Sequence, residues 1–170
     1  MKKVVVINGF PQSGKDTFVR LASKYALVMN YSSVDFVKEV AKFAGWNGEK
    51  NLHTRKFLSD LKDLLTFLDD IPFKKVEERM RDFYNMEEQE ILFVHIREPK
   101  EIEKLVKHHP DVVTLLIKRP DSEHEFSNHA DAMVEKYPYD FIILNDSSLD
   151  SFESKANEFV YNLRKGVSHD

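Results

Sequence analysis

The feature that most constrains this chain is a short apolar run that ends in a glycine loop. Val4 to Ile7 is a continuous β-branched stretch, the pattern of a strand buried on both faces. Gly9-Phe10-Pro11-Gln12-Ser13-Gly14-Lys15 follows at once. Helical spacing comes next, with Phe18, Leu21, Ala22 and Tyr25 on one stripe. A strand, glycines at this spacing and a lysine opening a helix are the parts of a phosphate loop. The glycines permit turns that a Cβ would forbid and bring N–H groups close to phosphate oxygens. The helix N-terminus adds partial positive charge, and Lys15 neutralises the outer phosphates. Gly9, Gln12, Ser13, Gly14, Lys15, Asp16 and Thr17 are the residues expected at a nucleotide. The hydroxyl that would hold Mg²⁺ is displaced by one position, because Asp16 follows Lys15 and Thr17 comes next. Asp16 either binds Mg²⁺, directly or through water with Thr17 assisting, or simply faces the dipole of a capped helix start.

Beyond the loop, apolar strands alternate with helical patterns. Ala26 to Tyr31, Ile91 to Val94, Val112 to Ile117 and Phe141 to Leu144 read as strands two to five. Asp35 to Phe43 reads as a helix, broken by Gly45-Trp46-Asn47-Gly48. The clearest amphipathic helix carries Phe57, Leu58, Leu61, Leu64, Leu65 and Leu68. Further helices are predicted from Pro72, after Glu98-Pro99, and from Leu149 to Leu163. This alternation predicts an α/β fold of the P-loop NTPase type, a parallel five-stranded sheet flanked by helices. The helices over 35–86 form an acceptor-side insertion above the carboxyl edge of the sheet, where ligands bind in such folds. The polar stretch 119–137 reads as a short lid. With 170 residues and no linker-like composition, a single domain over 1–170 is expected.

Composition narrows the partners. The net charge of −4 gives no reason to invoke nucleic acid or an anionic membrane. The apolar run after Met1-Lys2-Lys3 is far too short for a secretory core or a span, so a soluble, cytoplasmic protein is expected. The absence of cysteine excludes disulfides and thiolate metal sites. Oligomeric state is left open by the sequence.

Gly9 to Thr17, ending Ser-Gly-Lys-Asp-Thr, resembles the phosphate loop of deoxynucleoside monophosphate kinases and their relatives, including one type of phosphomevalonate kinase. Asp35 and Lys38 resemble that group's acceptor-side segment, and 45–50 with Arg55 resembles its helical acceptor subdomain. Arg97 stands where these kinases place an arginine after the third strand. Lys118-Arg119-Pro120 resembles the entry to a lid, and Asn145 to Leu149 the turn after the fifth strand. The resemblance implies ATP and Mg²⁺ as cofactors. It also implies phosphoryl transfer to a small phosphorylated acceptor, with a (deoxy)nucleoside monophosphate first and phosphomevalonate as the alternative. Members often carry an Asp two residues before that arginine, where this chain has His95. A chain built this way relies on Asp16 or another group to organise the metal, or binds nucleotide without turning it over, as a sensor or degenerate kinase does.

Phosphoryl transfer needs positioning and charge neutralisation more than covalent chemistry. Lys15, Arg97, Arg119 and Asp35 are therefore the catalytic candidates. Arg97 either grips the acceptor phosphate or makes a surface ion pair. Arg119 either stacks on a base or reaches the transferring phosphate, or does neither. Asp35 orients an acceptor hydroxyl or caps its helix. For Arg55, Lys56 and Lys62 a solvated helix face is the favoured reading. Trp46 is a core plug or a base platform. His124 and His129 lack metal-ligand spacing and read as polar lid residues. No Asn-Lys-x-Asp guanine signature follows the fourth or fifth strand, which weighs against a GTPase switch.

Overall fold

A computed structural model describes residues 1–120 and 133–166 of the chain. The run after Met1 forms β1 (Lys3–Asn8), and the glycine loop delivers the chain into α1 (Lys15–Ala22). β2 (Val28–Ser32), α2 (Asp35–Phe43), α3 (Leu52–Asp69) and α4 (Ile71–Asn85) follow. Then come β3 (Ile91–His95), α5 (Pro99–His108) and β4 (Val113–Lys118). A single 3₁₀ turn (Val134–Lys136), β5 (Phe141–Leu144) and α6 (Leu149–Lys165) complete the described chain. The strands form one parallel sheet in the order β2-β3-β1-β4-β5, so the five strands and six helices of the described residues make the predicted α/β architecture.

β1 is the centre of that sheet because its run has no polar side to offer to water. Val4, Val5, Val6 and Ile7 are all buried. Val5 and Ile7 face one core layer, built on Phe18, Phe93, Phe152 and Phe159 under α1 and α6. Val4 and Val6 face the other, built on Met80, Phe83, Ile102 and Leu105 under α4 and α5. The period-2 alternation of a strand thus divides one apolar run between two layers. Among the described residues no helix is long and apolar enough to cross a membrane.

Three expectations shift. The second strand begins at Val28 rather than Ala26, because the Ala26 amide closes a turn onto Ala22 and its side chain enters the core. Helix α3 forms with a capping box, Asn51 Oδ1 accepting from Thr54 N–H and Thr54 Oγ1 accepting from Asn51 N–H, both at 2.9 Å. Its apolar stripe, however, is not a core face, since no residue of α3 is buried. Leu58, Leu61 and Leu65 are half-buried, whereas Phe57, Leu64 and Leu68 are exposed. Lys62 departs from the solvated reading, as it is half-buried and paired with Glu101 at 2.6 Å. Most of the expected lid, with His124 and His129, lies outside the described residues.

Candidate active site

The phosphate loop leaves the carboxyl end of β1 and closes on itself. Ser13 N–H donates to Phe10 O at 3.1 Å, and Phe18 N–H donates to Gly14 O at 2.8 Å as α1 begins. Gln12 takes the left-handed region at φ 63°, and Gly14 takes φ 102°. Lys15 Nζ lies back over the loop, donating to Gly9 O at 2.6 Å and Phe10 O at 2.8 Å. Its ammonium is therefore already held against the loop backbone. Ser13 is fully buried, and its Oγ has no hydrogen-bond partner among the described residues. A buried hydroxyl with nothing to bind is costly unless a ligand supplies the partner. Loop, orphan hydroxyl and cation together fit a chain of phosphates.

Three residues outside the loop hold it in shape. Asn8 Oδ1 accepts from Gly9 N–H at 2.8 Å. Asn8 Nδ2 donates to Tyr139 Oη at 2.7 Å and to Arg97 O at 3.1 Å. Tyr139 Oη in turn donates to Val134 O at 2.8 Å, and burial pushes its phenol well above the ordinary range. From the turn after β5, Asn145 Nδ2 donates to Ser13 O at 3.0 Å while its N–H donates to Lys118 O at 2.7 Å. Nothing in sequence spacing pointed to these braces. The available signal was Asn8 itself, a polar residue closing an apolar strand, which must find partners when buried.

Around the loop the topology gathers the predicted charges. β3 and β4 flank β1, so Arg97 leaves one neighbour strand and Arg119 the other, and both side chains are exposed. His95, at the end of β3, sits among Lys15, Asp16, Asp35 and Arg97, all of which act electrostatically on its ring. Burial lowers its pKa from the ordinary value; Asp16 and Asp35 oppose the shift, while Lys15 and Arg97 reinforce it. Nε2 contacts Asn30 Oδ1 at 2.8 Å, which places the ring proton on Nε2. Asp16 is exposed and Thr17 half-buried on the first turn of α1. They offer two oxygen ligands at most, and among the described residues no cluster of three His, Asp or Glu makes a metal site alone. That donor set fits a Mg²⁺ that arrives with phosphates and keeps several waters.

Asp35 is not the cap of its helix; that position is Val34. Instead Asp35 Oδ2 accepts from Ser32 N–H at 2.9 Å, and Oδ1 accepts from Lys38 Nζ at 3.1 Å. Both residues line a cavity of about 440 Å³ beside β2. Lys38, Lys42 and Arg79 face it against Asp35 and Glu39, and the Arg79 guanidinium lies 5.2 Å from the centre of the Tyr31 ring. Lys42 and Arg79 were not singled out in the sequence, since a basic residue on a helix surface carries no mark of what it faces. Arg55 is exposed at the start of α3. Trp46 is half-buried, its Nε1–H donating to Glu49 O at 3.0 Å within the α2–α3 connection.

No protein-family model matches the sequence, and no curated protein matches it. Solved structures do. A sugar kinase from Janibacter sp. is 14% identical and superposes with a TM-score of 0.59, covering 99% of this chain and 100% of its own. A gluconokinase from Sinorhizobium meliloti is 11% identical with a TM-score of 0.52, covering 96% and 94%. A shikimate kinase from Aquifex aeolicus is 12% identical with a TM-score of 0.51, covering 96% and 99%. At such identities the likeness carries the fold, and the fold is that of the P-loop kinases.

Proposed function

We propose that this chain is an ATP-dependent kinase for a small phosphorylated acceptor, a (deoxy)nucleoside monophosphate in the first instance. The observation that carries the reading is the pairing of a loop fitted to phosphates with a cavity holding three cations against two carboxylates. A neutral acceptor needs no such excess, whereas an anionic one is held by it. In this reading Lys15 exchanges the carbonyls of Gly9 and Phe10 for phosphate oxygens, and the loop N–H groups and Ser13 Oγ bind the remainder. Asp16 and Thr17 would hold a Mg²⁺ arriving with the nucleotide, which would supply positive charge against that of the phosphates. Arg97 and Asp35 hold the acceptor, and Arg119 completes the charge clamp from the other side of β1.

A second reading, nucleotide binding without turnover, rests on His95. A neutral imidazole beside Asp16 adds no negative charge where a metal would need it. Phosphomevalonate remains the alternative acceptor within the first reading. The test is ADP release from Mg-ATP against nucleoside and deoxynucleoside monophosphates, phosphomevalonate, and the neighbours' own sugar, gluconate and shikimate. Lys15→Ala serves as the blank. One phosphorylated acceptor far above the blank establishes the first reading and names its substrate. Turnover with gluconate or a sugar alone would refute the phosphorylated acceptor. Tight ATP binding with silence from every acceptor selects the second reading.

A further inference from the structure

Helix α3 carries two apolar stripes, and the fold uses only one. Leu58 and Leu65 are half-buried on a helix that packs against α2 and α4. On the opposite side from the exposed stripe, Lys62 pairs with Glu101 of α5, and Thr66 lines a hollow of about 170 Å³ beside Ile96. The remaining stripe is Phe57, Leu61, Leu64 and Leu68. These residues fall at steps of four, three and four, within about 60° of arc on the helix. That is the spacing of a two-stranded coiled-coil seam. Three of the four face solvent, Phe57 at 38%, Leu64 at 65% and Leu68 at 71% exposure, and Phe67 beside them is 91% exposed.

We propose that two copies of this chain associate through α3, each seam lying antiparallel against the other. The spacing reads the same from either end, so a two-fold axis between Leu61 and Leu64 sets Phe57 against the partner's Leu68 and Leu61 against the partner's Leu64. A self-complementary patch is what an isologous dimer requires. The area agrees. With roughly 200 Å² per phenylalanine and somewhat less per leucine, the exposed seam and Phe67 offer on the order of 450 Å² of apolar surface per copy. A standard interface buries ~800 Å² per partner, a little over half of it apolar, which asks for about that much. Orientation follows from charge. Arg55 and Lys56 stand at the start of α3 with Lys50 just before it, and Asp63 and Asp69 stand in its second half with Asp70 just after it. Lys56 already holds Asp60, Asp69 already holds Lys74 and Asp70 already holds Lys104, so the ends act through their field rather than through new bridges. Antiparallel pairing sets basic end beside acidic end and opposes the two helix dipoles, whereas parallel pairing sets like beside like. The seam faces away from α5 and includes no residue assigned to the phosphate loop or the basic cavity, so the proposal stands independently of the reaction catalysed.

Sedimentation velocity from low to high micromolar concentration tests it. The expected result is a species of twice the chain mass that dissociates on dilution. The double variant Leu64→Asp, Leu68→Asp is expected to sediment as a monomer throughout while keeping a cooperative melt, because neither residue is buried. The chain has no cysteine of its own, so the double variant Phe57→Cys, Leu68→Cys gives a clean cross-link readout. On oxidation it is expected to form a covalent dimer in high yield, and Phe57→Cys alone is not. A monomeric wild type at every concentration overturns the proposal. So does a dimer that survives Leu64→Asp, Leu68→Asp, and so does equal cross-linking by Phe57→Cys alone.

Discussion

Asn145 and Ser13 stand 132 residues apart in sequence and share a hydrogen bond of 3.0 Å from side-chain amide to backbone carbonyl. The same asparagine is fixed by its own N–H to Lys118 O, so the phosphate loop is braced against the ends of β4 and β5. Asn145→Ala removes the brace without opening the core. The expected outcome is a loss of about 1 kcal/mol in stability and a several-fold weaker affinity for ATP. Chemical denaturation and calorimetric titration on one preparation measure both. Unchanged ATP affinity would mean that the loop holds its shape unaided.

The two loop glycines differ in what surrounds them. A Cβ at Gly14 would meet Asn145 Nδ2 at 2.6 Å, the movable end of a side chain, whereas one at Gly9 would meet the Ile117 carbonyl oxygen at 2.5 Å. Both have positive φ, 102° and 153°, so both substitutions strain the backbone. Gly9→Ala is expected to be the more damaging, with Asn145→Ala giving it no relief. Gly14→Ala combined with Asn145→Ala is expected to recover part of the stability lost by Gly14→Ala alone. Melting temperatures of the five proteins decide the matter.

Kinetic constants separate the two sides of the site. Lys15→Ala is expected to weaken ATP binding by about ten- to a hundredfold, the scale of a charged hydrogen-bonding partner. Arg79→Ala and Arg97→Ala are expected to raise the KM for the acceptor by at least about tenfold and to leave the KM for ATP unchanged. A rise in the ATP constant for Arg79→Ala would detach the basic cavity from the acceptor.

His95 gives stability a pH dependence whose sign follows from its depressed pKa. Above the unfolded value of 6.5 the ring is neutral in both states and contributes nothing. As pH falls through 6.5 the unfolded chain takes up the proton first, so stability drops until the lower folded pKa is reached. His95→Gln is expected to flatten the curve between about pH 7 and 5 relative to wild type. Superimposable curves would show that the ring is not held neutral.

Phe18 is fully buried against Phe93, Phe152 and Phe159, with ring centroids 6.4, 5.5 and 5.6 Å away. Phe18→Ala empties the layer that seats α1 on the sheet. A loss of about 3–5 kcal/mol is expected. Urea denaturation checks it, and a loss under about 1 kcal/mol would mean that the layer collapses to fill the space.

The phosphate loop and the sheet were legible because their signals are local. Glycine spacing sits within seven residues, and a doubly buried strand announces itself as an apolar run. The braces were not legible, because Asn8 and Tyr139 are 131 residues apart and only the sheet order brings them together. Asp35 was legible as a residue of the acceptor side but not in its contacts. Its carboxylate ties the end of β2 and Lys38 rather than capping its helix, which depends on how the strand enters the turn. The outward face of α3 was hidden for another reason. Two adjoining apolar stripes look alike in sequence, and the packing of α2 and α4 decides which is covered.

The position of β1 at the centre of the sheet has a consequence for how the chain is made. Its two hydrogen-bonding neighbours are β3 and β4, and the partner Lys3 needs, Ile91, lies more than half the chain away. During synthesis β1 is therefore unpaired until β3 and β4 have followed it. During that interval Val4 to Ile7 is an exposed β-branched segment of the kind that associates with other chains. Assembly of the sheet waits on a long loop closure, which is slow. The yield of the folded chain is thus expected to depend on how soon α2 to α4 and the strands after them are made, and not only on the stability of the finished fold.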